Sequence, residues 1–107
     1  MKFIKVAKQN EVAEGCMKGV EVDGKEILLA CVKGKVYAFD AICNHGYAYM
    51  EEGELDGYDI VCPLHAGSFD IRSGAITCPP VVEPMAVFPV RVEGGDILID
   101  IDGNAGA

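Results

Sequence analysis

The chain has 107 residues, half of them apolar, and a formal net charge of −8. That length fits one domain, expected over 1–107, and leaves no room for a second of ordinary size to transform a substrate. The acidity argues against a nucleic-acid ligand, because phosphate binding draws its affinity from Lys and Arg.

The strand signals come first. Phe3 to Ala7 reads as an edge strand and Asn10 to Gly15 as a turn. Met17 to Val22 reads as a strand closed by Asp23-Gly24. Ile27 to Val32 is the longest uninterrupted apolar stretch and, with Val36 to Phe39, flanks Lys33-Gly34-Lys35 as a hairpin. From Asp40 to about Asp59 the pattern is long and irregular, and a loop of that length inside a compact domain is functional or disordered. Thr77 to Pro84 is proline-rich; Ala86 to Val92 and Asp96 to Ile101 then flank Glu93-Gly94-Gly95 as a second hairpin. The tail from Asp102 to Ala107 is expected to be flexible. No segment sustains a helical period, so the fold class is all-β.

Charge divides along the chain: residues 1–35 carry a net +2 and residues 36–107 a net −10. Such a field either keeps a small domain soluble or steers it toward a basic patch on a protein partner. No secretory signal and no membrane-length apolar run is visible, so the cytoplasm is the expected address. Five cysteines without an export signal do not suggest a disulfide framework.

The protein has two histidines, each close to a cysteine. Cys43-Asn44-His45 is followed, after sixteen residues, by Cys62-Pro63-Leu64-His65. Thiolate with imidazole suits an iron–sulfur cluster, zinc or copper. A two-iron cluster needs two ligands per iron, and Rieske centres place two cysteines on one and two histidines on the other. Each short motif supplies one ligand of each kind, so two loops gripping both irons would complete the set. Cys31 shares a strand face with Ile27 and Leu29 and reads as core; Cys16 and Cys78 are not assigned.

The stretches CNHG, CPLHAGSFDIRSG and CPP, with the closing hairpin, resemble the Rieske-type [2Fe–2S] ferredoxins that serve bacterial aromatic-ring-hydroxylating dioxygenases. The resemblance implies an antiparallel Rieske-like β-sandwich with a small loop-built cluster-binding subdomain over about 41–80. It also implies one [2Fe–2S] cluster per chain on Cys43, His45, Cys62 and His65, with Thr77-Cys78-Pro79-Pro80 as a covering loop. Respiratory Rieske proteins brace their cluster with a disulfide between positions that are Ala48 and Leu64 here. Their serine and tyrosine donors to cluster sulfur correspond to Gly67 and Phe69, and Ser68 lies one residue off. Fewer donors leave the reduced cluster less stabilised, so a potential near the low end of the class, about −150 mV, is expected.

The implied function is soluble one-electron transfer, with no catalysis by the chain itself. Electrons would come from an NAD(P)H-dependent flavoprotein reductase and go to a terminal ring-hydroxylating oxygenase in aromatic hydrocarbon catabolism. The added electron is expected on the His45/His65 iron at an exposed tip, where a monomeric carrier would dock, with proton uptake once imidazole basicity rises. No dinucleotide fingerprint follows a strand, and no histidines remain for a mononuclear iron site. Glu51, Glu52, Glu54, Asp56 and Asp59 either shape docking or are solvated, and Tyr47, Tyr49 and Met50 either shield the cluster or rim the docking face. A Rieske subunit of another redox system and a Cys2His2 zinc-stabilised binding module are the alternatives.

Overall fold

The computed structural model describes residues 3–42, 49–63, 67–79 and 84–103. Within them, three antiparallel sheets form around one strand, β3 (Lys25–Val32). Its six consecutive apolar residues cannot all face one core, because successive side chains in a strand alternate. Both faces are therefore covered. Leu28, Ala30 and Val32 enter one core, while Ile27, Leu29 and Cys31 enter the other. Ile27, Leu28 and Leu29 are wholly buried, each worth about 1.5–3 kcal/mol of burial.

The central sheet runs β2 (Met17–Val22), β3, β4 (Lys35–Asp40) and β9 (Val87–Phe88). One face packs on a three-stranded sheet of β1 (Ile4–Lys8), β11 (Asp96–Ile99) and β10 (Val90–Glu93), through Ala7, Ile97 and Ile99. The other face packs on a small sheet of β5 (Glu54–Asp56), β6 (Asp59–Val61), β7 (Ser68–Asp70) and β8 (Ile76–Cys78), through Ile60 and Phe69. The all-β class and antiparallel pairing expected from the sequence are found.

The hairpins close at Asp23-Gly24, Lys33-Gly34 and Gly94-Gly95, each a pair of residues at positive φ. Lys33, at φ 54, is an uncommon non-glycine in that region. It is held by Glu14, whose carboxylate accepts the N–H of Lys33 at 2.7 Å and of Gly34 at 2.8 Å. These two bonds hold the Glu14 carboxyl below its ordinary pKa. The stretch read as a plain turn thus contains a latch on the β3–β4 hairpin. Its start is a short 3-10 turn, Gln9–Glu11, where the Glu11 carboxylate accepts the Lys8 N–H at 2.8 Å.

Two further expectations change in detail. Ala86 to Val92 is not one strand, because Pro89 cannot donate to a ladder and separates β9 from β10. The chain changes sheets there: Phe88 pairs with Ala38, whereas Val90 pairs with Ile99. The irregular stretch after Asp40 contains a 3-10 turn at Met50–Glu52 and the β5–β6 hairpin. In the tail, Asp102 and Gly103 donate backbone N–H groups to the Asp100 carboxylate and carbonyl, and 104–107 lie outside the described residues.

Because the Glu14 carboxyl titrates lower in the folded chain than in the unfolded one, its contribution is complete above the ordinary carboxylate pKa. It is lost as pH falls through the lowered value. Glu14→Gln is expected to lower stability at neutral pH and to flatten its decline in acid. Denaturant titrations over a pH series check this, and parallel wild-type and variant profiles would contradict it.

Candidate metal centre

Of the four ligands expected from the sequence, Cys62 is described; Cys43, His45 and His65 lie outside the described residues, as do Tyr47, Ala48 and Leu64. Pro80, at the end of the expected covering segment, is also outside them. The chain immediately before and after each of these segments is described, and it is tightly fixed.

Ile42 and Tyr49 face each other in an antiparallel bridge, so the ends of the Cys43/His45 segment are brought together. The Asp40 carboxylate accepts the Ile42 N–H at 3.0 Å, and the Ala41 carbonyl accepts that of Met50 at 2.8 Å. At the second segment, the Gly67 carbonyl accepts the Cys62 N–H at 2.7 Å. At the third, Cys78 pairs with Ser68, while the Gly74 carbonyl accepts the Met85 N–H at 2.8 Å where the chain returns. Gly74 has φ 81, and a Cβ there would run into the Met85 carbonyl, so only glycine fits this return.

The first two stems are packed together. Met50 is wholly buried and shares a core with Ala41, Ile60, Cys62 and Phe69. Gly53 lies so close to Val61 that a Cβ would meet the Val61 carbonyl oxygen, with Pro63 also near. The segment leaving the first ligand pair is thus held against the segment entering the second. The third stem joins through β7–β8 and through the Ser68 and Thr77 hydroxyls, 2.6 Å apart. Three stems therefore converge at one end of the small sheet.

This arrangement suits a group held from several loops at once. The thiol of Cys62 is buried at 1 % exposure, in apolar surroundings at the convergence. Among the described residues, no three His, Cys, Asp or Glu side chains gather as another metal site. The buried thiol and the converging stems fit a thiolate-ligated cluster.

The neighbouring residues divide by role. The Ser68 hydroxyl is paired with that of Thr77, and Phe69, which has no side-chain donor, is wholly buried in the core. Met50 is core, whereas Tyr49 is 42 % exposed beside the first stem. The phenol of Tyr49 faces Glu26, whose charge and hydrogen bond raise its pKa. The β5–β6 hairpin splits the acidic run. Glu54 pairs with Val61 at the stem end, while Asp56 and Asp59 pair at the opposite end. Glu51 and Glu52 are exposed directly after the first stem.

At that opposite end the FDIRSG stretch acts as a brace whose role the motif alone did not disclose. Arg72 binds the Asp70 carboxylate through Nε at 3.0 Å and Nη2 at 2.7 Å, keeping the Asp70 carboxyl below its ordinary pKa. Its guanidinium stacks 3.9 Å from the centre of the Tyr58 ring, which meets Tyr37 edge-on. No helix among the described residues is long and apolar enough to cross a membrane.

Known proteins share this architecture over nearly the whole chain. The ferredoxin component of the naphthalene 1,2-dioxygenase system of Pseudomonas aeruginosa is 43% identical over 100 residues, covering 94% of this chain and 96% of its own. The ferredoxin of carbazole 1,9a-dioxygenase from Nocardioides aromaticivorans IC177 superposes with a TM-score of 0.87 at 35% identity, covering 92% of this chain and 97% of its own. A chain from a complex of reduced oxygenase and oxidized ferredoxin in carbazole 1,9a-dioxygenase gives 0.86 at 31% identity, covering 97% and 93%. The family model of the Rieske [2Fe–2S] domain matches residues 2–89. With this match and the fitted site, the chain belongs to the Rieske [2Fe–2S] domain family and is an electron-transfer protein carrying a [2Fe–2S] cluster.

Proposed function

We propose that the protein carries single electrons from an NAD(P)H-dependent flavoprotein reductase to a terminal ring-hydroxylating oxygenase, with its cluster held by Cys43, His45, Cys62 and His65. The observation that carries this reading is the convergence of the Cys43/His45 and Cys62/His65 stems on one buried thiol. The names of its relatives, ferredoxins of naphthalene and carbazole dioxygenase systems, support the choice of partner. When bound, the cluster supplies one reversible electron and no substrate chemistry.

The chain's own residues set how that electron is held and delivered. Cys62 shares its buried core with Met50, Ala41 and Phe69. Gly53 holds the first stem against the second at a distance that a side chain would prevent, and Gly74 fixes the returning chain at Met85. The positions that supply hydroxyl donors to sulfur in respiratory relatives offer none here, so the potential falls toward about −150 mV. One cluster-binding subdomain over about 41–80 within a single domain, a cytoplasmic location and a monomeric carrier complete this reading.

Steering falls to Glu51, Glu52 and Glu54 at the stem end, whereas Asp56 and Asp59 lie too far along the hairpin to share it. In a reconstituted chain of reductase, this protein and oxygenase, electron delivery is expected to slow about tenfold or more from low to high ionic strength. Neutralising Glu51, Glu52 and Glu54 should slow it at low salt and flatten that dependence. Neutralising Asp56 and Asp59 should do neither. A flat salt response in the unaltered protein would remove the steering role, and failure to couple the two partners would remove the carrier role.

The ligand assignment has its own check. His65→Cys replaces a neutral imidazole with an anionic thiolate, so a cluster is expected to persist with an altered visible spectrum and a lower potential. Protein-film voltammetry measures the shift. An unchanged potential would mean that His65 is not a ligand.

A further inference from the structure

We propose that Cys16 and Cys31 are a dithiol pair that peroxide converts to a cross-strand disulfide, at the end of β3 away from the cluster stems. The pairing arises from the backbone. The Ala13 carbonyl accepts the Cys16 N–H at 2.9 Å across a turn whose third residue, Gly15, has φ 77. The Cys31 carbonyl then accepts the Gly15 N–H at 2.7 Å, and the Cys16 carbonyl accepts the Cys31 N–H at 3.2 Å. A glycine at positive φ followed by a residue that shares one partner with it is a G1 bulge, so Gly15 and Cys16 together oppose Cys31.

The register agrees. Met17 pairs with Ala30, so the next step outward sets Cys16 against Cys31. Met17 and Ala30 turn toward the core shared with the small sheet, which sends Cys16 and Cys31 to the other face. Residues that exchange both ladder bonds have Cα atoms about 5.5 Å apart. Cys16 and Cys31 share one of the two, at the bulge, which keeps them close to the range that a disulfide spans. The two thiols also sense each other electrostatically, since a thiolate at Cys16 disfavours one at Cys31.

Exposure assigns the roles. Cys16 is exposed and meets the oxidant first, whereas Cys31 is buried and its pKa is raised by burial and by Glu14. In the first step the Cys16 thiolate attacks one oxygen of hydrogen peroxide, the O–O bond breaks, and the sulfenic acid and hydroxide form. In the second, the Cys31 sulfur attacks the Cys16 sulfur and the S–O bond breaks. The Cys31 proton leaves with the departing oxygen as water. Two thiols and one peroxide thus give one disulfide and two waters. The bond ties the start of β2 to the end of β3, while the stems follow Asp40, which pairs with Ile27 at the other end of β3. Closure of this loop therefore stabilises the sheet without touching the cluster.

The test uses the cluster-loaded protein, reduced and then treated with hydrogen peroxide. Tryptic digestion places Cys16 in peptide 9–18 and Cys31 in peptide 26–33, so their link is read directly by mass spectrometry under non-reducing conditions. The expected result is that linked peptide, with a melting temperature raised by about 5 °C or more and reversed by a phosphine reductant. Cys16→Ser, at an exposed position, should abolish both effects, and Cys78→Ser should abolish neither. Overoxidised Cys16, a Cys16–Cys16 dimer or a link to Cys78, with peptides 9–18 and 26–33 unjoined, would overturn the proposal.

Discussion

The rest of the structure depends on β3 being buried on both faces. Leu28, Ala30 and Val32 require a sheet on one side, and Ile27, Leu29 and Cys31 require one on the other. A one-residue slip would exchange the two sets, placing each side chain in the wrong core, so the register with β2 and β4 is strongly specified. The small sheet is therefore more than an appendage to a finished sandwich. It is the cover that the second face of β3 demands, and it carries the converging stems at its edge.

Seen from β3, the cluster end and the braced end of the small sheet have different tasks. At the braced end, Arg72 joins Asp70 to the ring of Tyr58, satisfying charge and covering aromatic surface with one side chain. At the other, backbone hydrogen bonds and the close contact of Gly53 with Val61 fix the chain, and the described residues that share a core with Cys62 are apolar. Low polarity there disfavours added negative charge, which favours the low potential proposed for the cluster.

Much of this was legible in the sequence. Asp23-Gly24, Lys33-Gly34 and the Gly94-Gly95 pair announce their hairpins because few residues tolerate positive φ, and the two Cys–His pairs announce the metal chemistry. The strands of the small sheet were not legible. Each has three residues, too few for a period of two to register, and their pairing depends on the packing demanded by β3. The Glu14 latch was equally hidden, since its partners are backbone N–H groups 19 and 20 residues away. Pro89 was visible, but whether a proline ends a strand or carries it into another sheet is decided by the sheets available. At the site, spacing pointed to the ligand pairs that are proposed, whereas Gly53 and Gly74 became significant only when the carbonyls beside them were placed.

The central claim is that two histidines and two cysteines ligate one two-iron cluster. The most direct test is an EPR spectrum of the dithionite-reduced protein, purified without added metal. Mixed ligation predicts a rhombic signal with an average g clearly below that of all-cysteine clusters. An average g matching all-cysteine clusters, or silence accompanied by stoichiometric zinc, would contradict it.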